Sequence, residues 1–349
     1  MTDRRLTLTS LEGVLVGHAT DRRAATGCTV IVCPDGAVAG VDVGGGAAGT
    51  REIDACAPGH LVERIHAVVL SGGSAFGLDT AGGVMRYLER KGIGFDTGSA
   101  RIPIVPSAIL YDLGLGSSAR RPDGTMGARA CRSAFAAAGR PVASGSLGAG
   151  TGATVGKIFG MKGAMKGGIG NAGLRMPSPS GKVIVAVLAA VNAFGDVIDY
   201  DSGAIVAGAR APSNDATPHA PHAPLDTFAD TERLMRRGVM RRRVKSSNTT
   251  LVVVATDARL TRVEAARLSR VCQDGLARSV SPCHTRFDGD IVFTLSMGRR
   301  RVDLDCLGVT ACRAVGMAVI DAVTSATTLK GVPALRDLPP IRRGAQPRK

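Results

Sequence analysis

Tryptophan is absent from the 349 residues, and all aromatics together make up only 3% of them. A core of any size must therefore be built from Ala, Val, Leu and Ile. Recognition of single-stranded nucleic acid loses its usual aromatic stacking platforms. Among the eight cysteines there is no CxxC pair, and the six histidines do not cluster along the chain. Neither a disulfide framework nor a metal site is expected from those spacings, and buried free thiols are. The best apolar run, Val183 to Ala193, falls short of the roughly 18 to 20 residues of a membrane span. The N-terminal stretch MTDRRLTLTSLEGVLVGHAT has no continuous apolar segment and no small-residue cleavage site. Neither membrane insertion nor secretion is expected, which points to the cytoplasm. A GxSxG elbow is also missing, and Ser71-Gly72-Gly73-Ser74 does not supply its strand, serine and helix arrangement, so a Ser-His-Asp hydrolase is disfavoured.

What the chain does have is 44% apolar residues, 21% charged residues and 46 glycines, a soluble globular composition in one large or about two domains. Short β-branched runs alternate with glycine-rich turns and Ala-rich helical stretches, which predicts a mixed α/β fold. Strands are expected at Thr29 to Cys33, ended by Pro34-Asp35-Gly36, at His66 to Leu70, within Val183 to Ala193, at Leu251 to Ala255 and at Asp290 to Leu295. Helices are expected from about Ala75 to Lys91, from Thr261 to Ala277 and from Asp305 to Thr324. The formal net charge of +15 raises the question of nucleic acid. Its concentration in a run from Arg233 to Lys245 and in the tail beyond Lys330, without aromatic interleaving or a recognisable binding motif, argues against that partner.

The glycine-rich Gly145 to Gly156 superficially resembles a dinucleotide loop, but no acidic residue lies about twenty positions on and no helix pattern follows. No cofactor is expected, and close backbone packing beside a substrate site is the better reading. From Ala211 to about Thr227 the composition becomes proline-rich and linker-like. Soon afterwards Asn248-Thr249 stands at the mouth of the buried run Leu251 to Ala255. A hydroxyl placed there, after a linker, suits a nucleophile that cuts its own chain and exposes an α-amine, whose pKa of about 7.7 to 8.0 lets it serve as its own base. On spacing alone, a simple turn remains open.

At these residues the chain resembles the DmpA-type aminopeptidases, a group that includes beta-peptidyl aminopeptidases, L-aminopeptidase/D-esterase-amidases and nylon-oligomer endohydrolases. The segments that carry the resemblance are VGHATD, TGCTVIVCP, AVAGVDVGGGAAGTRE, HAVVLSGGSAFGLDTAGGVMRYL, IPIVPSAILYDL, GSLGAGTGATVGK, MKGGIG, AVNAFGDV, NTTLVVVATDARLT and DGLARSVSPCHTRFDGDIVFTLS, in order and over nearly all of the chain. The resemblance implies a four-layer αββα sandwich like that of the N-terminal-nucleophile hydrolases but differently connected. It implies a single domain processed into an α chain, 1–248, with a flexible 211–248, and a β chain, 249–349. Thr249 would be the nucleophile, Asn192 would hold the oxyanion, and Tyr111 would lie near it. Lys166 would lie near the nucleophile, and Asp288 and Asp290 would orient and balance the Thr249 ammonium and Lys166. A small peptide or amide substrate and a homo-oligomer, commonly a tetramer, are implied as well. The same fold also serves acyl transfer in ornithine acetyltransferases, and a non-catalytic basic binding protein is the reading from outside the enzymes.

Overall fold

The computed structural model describes residues 6–179, 181–210, 228–239 and 248–338. Its principal strands are β1 (Leu15–Asp21), β2 (Thr26–Val43), β3 (Ile65–Ser71), β4 (Ser107–Ile109), β5 (Gly168–Ser178), β6 (Gly181–Asn192), β7 (Thr249–Ala258) and β8 (Ile291–Arg300). The helices are α1 (Thr80–Glu89), α2 (Gly124–Ala136), α3 (Thr231–Arg236), α4 (Arg262–Ala277) and α5 (Leu304–Thr324).

The 18-residue β2 belongs to two sheets. Its first half lies between β1 and β3, and β4 continues that sheet on the far side of β3. Its second half pairs with β8, which is followed across the second sheet by β7, β6 and β5. The register with β3 shifts between Val32 and Ala37. The sequence reading that ends this strand at Pro34-Asp35-Gly36 is therefore corrected: the turn-forming triplet is absorbed as an irregularity within a continuing strand, where proline's missing N–H is tolerated.

Alternation along the strands sorts their side chains into layers. Ala186, Leu188, Leu251, Val253 and Phe293 of the second sheet meet Ile31, Val68 and Leu70 of the first. Val187, Val252 and Val292, on the opposite face of the second sheet, pack under α4 and α5 with Leu268 and Val315. Val30 and Val69, on the outer face of the first sheet, pack under α1 and α2 with Val84 and Cys131. The result is the expected αββα sandwich. Strands buried on both faces read as continuous apolar runs, which is why β3, β6, β7 and β8 were recognisable.

Small residues let the layers approach without aromatic bulk. A Cβ on Gly40 of β2 would lie 2.2 Å from the Ala265 main chain, so α4 crosses this strand in direct backbone contact. Helix α5 is, by length and composition, apolar enough to cross a membrane, which the sequence reading did not find. Its apolarity is accounted for by Leu307, Ala311, Val315, Val319 and Ala322, all buried against the second sheet.

Of the expected linker 211–248, residues 211–227 and 240–247 lie outside the described residues. Within 228–239 the linker expectation is corrected, because α3 is docked. Asp230 caps it, and the Thr231 amide and hydroxyl donate to the buried Asp196 carboxylate at 2.7 and 2.9 Å. Leu234 enters a small cluster with Ile158, Phe159 and Phe194.

Candidate active site

Three strands of the second sheet bring the site together at one end. Thr249 is the first residue of β7 and pairs in register with Asn192, the last residue of β6. On the other side, Asn248 bridges Asp288 just ahead of β8. Asn192, Asn248 and Thr249 are all buried. The Asn248 carbonyl accepts two hydrogen bonds, from the Gly289 amide at 2.7 Å and from Thr249 Oγ1 at 2.5 Å. Gly289 is needed for this approach, since a Cβ there would lie 2.6 Å from the Ala47 carbonyl oxygen.

The Asn192 side chain is fixed at both ends. Its Oδ1 accepts from the Thr154 amide at 3.0 Å and from Lys157 Nζ at 2.7 Å, while its Nδ2 donates to the Tyr111 main-chain carbonyl at 3.0 Å. Tyr111 thus serves the site through its carbonyl. Lys157 Nζ also donates to the Asn192 carbonyl at 3.0 Å. Its loop is held by main-chain bonds from Gly156 and Lys157 to Gly195 and Phe194, the turn that follows β6. Burial lowers the Lys157 pKa to about 7, partly opposed by the Asp288 and Asp290 carboxylates, so the amine can gain or lose a proton near neutrality.

Lys157 is the functional lysine that sequence reasoning missed, and its signal was the GK that closes the glycine-rich segment. Lys166, expected near Thr249, is also fully buried but is held by a different set of groups. Its Nζ caps the carbonyls of Thr151 and Ala153 at 2.9 and 2.5 Å. Its facing carboxylate is Asp112, which in turn accepts from Thr26 Oγ1 at 2.6 Å and the Gly73 amide at 2.8 Å. The cation that faces Asp288 and Asp290 is Lys157. The expectation that these carboxylates balance Lys166 is corrected accordingly.

Asp288 and Asp290 are both buried. Asp288 accepts from Thr285 Oγ1 at 2.6 Å, the Thr285 amide at 3.0 Å and the Phe194 amide at 3.3 Å. Burial, together with the neighbouring Asp290, raises its pKa. Asp290 divides its oxygens. Oδ1 accepts from the Thr250 amide at 2.7 Å, tying it to the residue after Thr249. Oδ2 faces Cys283 and His284. Hydroxyl, amide, ammonium and carboxylates within one buried end of a sheet can activate a nucleophile and stabilise an oxyanion on a carbonyl carbon.

This layered architecture, with its candidate site at the ends of central strands, resembles the N-terminal-nucleophile hydrolase fold. Against the L-aminopeptidase D-Ala-esterase/amidase of Ochrobactrum anthropi, a variant of that fold, the TM-score is 0.63 at 19% identity, over 93% of this chain and 88% of that one. A beta-aminopeptidase of a Burkholderia species superposes with a TM-score of 0.65 at 21% identity, over 96% and 91%. The model of peptidase family S58 matches residues 7–335, and the chain belongs to that family of peptide- and amide-bond hydrolases. An uncharacterized aminopeptidase of Mycobacterium bovis is 36% identical over 367 residues, covering 95% of this chain and 98% of that protein. A 6-aminohexanoate-oligomer endohydrolase of a Kocuria species is 29% identical, over 89% and 84%.

Proposed function

We propose that this protein is an autoprocessing amidohydrolase that cuts itself between Asn248 and Thr249 and then hydrolyses small peptides or linear amides through an acyl-Thr249 ester. The observation that carries this reading is the Asn248 carbonyl held at once by the Thr249 hydroxyl and the Gly289 amide. A donor already aimed at the oxygen favours the tetrahedral adduct. Thr249 Oγ1 adds to the Asn248 carbonyl carbon and gives up its proton, and the C–N bond breaks as a proton reaches the Thr249 nitrogen. One water then hydrolyses the resulting ester, releasing the Asn248 carboxylate and the free Thr249 hydroxyl and amine. In turnover the same hydroxyl attacks a substrate carbonyl, with the new α-amine as at least part of the base. The amide leaving group departs with a proton, and water hydrolyses the ester.

Asn192 donates to the substrate oxyanion through the Nδ2 hydrogen not used on Tyr111, while Lys157 keeps Oδ1 turned away. The carboxylates of Asp288 and Asp290 offset the Thr249 ammonium and Lys157. The printed names of the relatives, aminopeptidase and 6-aminohexanoate-oligomer endohydrolase, support substrates of this size and bond type. A cytoplasmic, homo-oligomeric enzyme is proposed with them, and the absence of any disulfide among the eight thiols is consistent with a reducing compartment.

Intact-mass spectrometry of the purified protein beside its Thr249→Ala variant tests the reading. Two fragments meeting at Asn248/Thr249 in the parent and one uncut chain in the variant are expected, together with amide hydrolysis by the parent alone. Hydrolysis by an uncut parent chain would overturn the processing step, and full activity of Thr249→Ala would overturn the nucleophile.

A further inference from the structure

Beside the site, and unused by the mechanism above, Cys283 and His284 converge on one oxygen of Asp290. Cys283 Sγ lies 3.4 Å from Asp290 Oδ2 and 3.4 Å from His284 Nδ1, and His284 Nδ1 lies 3.0 Å from the same Oδ2. The His284 main-chain amide donates to that oxygen as well, at 3.3 Å. Bonds of about 2.0 to 2.3 Å at tetrahedral angles around zinc separate a sulfur, a nitrogen and an oxygen donor by roughly 3.3 to 3.6 Å. The three separations are thus within a few tenths of an ångström of those required, and because Cys283 Sγ lies 3.6 Å from His284 Nε2 as well, the imidazole must also turn to aim Nδ1 at the ion.

We propose that Cys283, His284 and Asp290 Oδ2 form a binding site for a zinc-like divalent cation, with water as fourth ligand, and that its occupancy inhibits the enzyme. The donor set decides the class of ion: a thiolate, an imidazole and a carboxylate in a tetrahedral arrangement suit zinc and disfavour magnesium or calcium, which take oxygen. Access is open on one side, since the His284 side chain is 27% exposed and Cys283 is half-buried, while Asp290 at 3% forms the floor. Binding releases the Cys283 thiol proton, takes the hydrogen that His284 Nδ1 gives to Asp290 off that nitrogen, to Nε2 or to solvent, and leaves the Oδ1 bond to the Thr250 amide in place. The ion takes up the Asp290 charge that otherwise balances Lys157 and the Thr249 ammonium, which is how it acts on the nucleophile one residue away.

The inhibitory half of this proposal rests on the reading of Thr249 as nucleophile, whereas the binding half does not. The experiment separates them by using Co2+ and Zn2+ on uncut Thr249→Ala chain and on the active enzyme, both in a Cys306→Ser background because Cys306 is the exposed thiol. One Co2+ per chain, with a thiolate-to-metal charge-transfer band that Zn2+ abolishes and Cys283→Ser removes, is expected in both proteins. Cys283→Ser should weaken Zn2+ binding, followed by equilibrium dialysis, at least about tenfold. It should keep amide hydrolysis while making it resistant to Zn2+. A cobalt band that survives Cys283→Ser, or the absence of any band, overturns the site. Binding with undiminished turnover overturns the inhibition, and a lack of any turnover in metal-free enzyme, with the band intact, overturns the functional reading alone.

Discussion

At the scale of single residues, the two buried lysines make different contacts. Lys157 touches Asn192 at two atoms, so Lys157→Met leaves the amide held only by the Thr154 amide and the Tyr111 carbonyl and removes a positive charge facing the carboxylates. Its kcat is expected to fall by about 10²- to 10³-fold, the scale of losing one oxyanion-stabilising contact, with little change in the urea midpoint. Lys166→Met removes the donor to two buried carbonyls; Ala153 keeps its bond from the Gly167 amide, whereas leaving Thr151 unpaired costs ~1–3 kcal/mol, so its urea midpoint should drop while kcat per folded molecule stays close to the parent's. The opposite pattern would return Lys166 to the site. Thr249 was legible in the sequence because it opens a strand whose apolar run marks it, whereas Asn192, Asp288 and Asp290 were expected from the resemblance alone, and the structure gathers all four at one end of the second sheet. The choice between the lysines was not legible, since both lie in glycine-rich loops with no periodicity to give a side-chain direction. That direction comes from the Phe194-Gly195 turn, which holds the Lys157 loop. Cys283 and His284 escaped for a similar reason: their partner stands beyond a turn, and adjacency to a carboxylate there is a property of the folded loop.

At the scale of elements, the periodic pieces were legible and the punctuated ones were not. Helices α4 and α5 match their expected spans within a residue, because an amphipathic or apolar run of that length has few other solutions. The helix expected from Ala75 starts later, since Ser74–Asp79 forms a 3-10 turn first and α1 begins at Thr80. The longest strand was cut short on paper by Pro34 and Gly36, local signals that tertiary pairing on both halves of β2 overrides. The contact that fixes α4 on β2 is open to test. In Gly40→Val the new side chain would have to displace the Ala265 and Ala266 main chain, because even its Cβ would sit 2.2 and 2.3 Å from those atoms. Neither is the end of a flexible side chain, so relief requires lifting the helix. A loss of about 3 kcal/mol or more in unfolding free energy, measured by urea titration, is expected. A loss below about 1 kcal/mol would mean that the helix is not seated on this strand.

For the whole molecule, the position of the proposed cut within the topology matters more than its position in the chain. Strands β7 and β8 come from the segment after Asn248, yet they lie between β6 on one side and β2 on the other, both from the segment before it. Helices α4 and α5 cover the resulting sheet, with α5 packing on β5 and β6 as well as on α4. Neither fragment holds a complete second sheet, so each would expose the apolar edges and faces that the other covers. Cleavage should therefore leave the halves joined, and both fragments should elute together from a sizing column under native conditions. Denaturation changes the picture, because the uncut chain keeps its halves at a high effective concentration and the cut chain does not. Recovery of β-sheet circular dichroism after dilution from urea should be independent of protein concentration in Thr249→Ala. In the mature protein it should quicken as concentration rises, since the halves must first meet. Concentration-independent recovery of the cleaved protein would mean that one fragment folds alone, and the interleaved sheet could not then be what holds the two together.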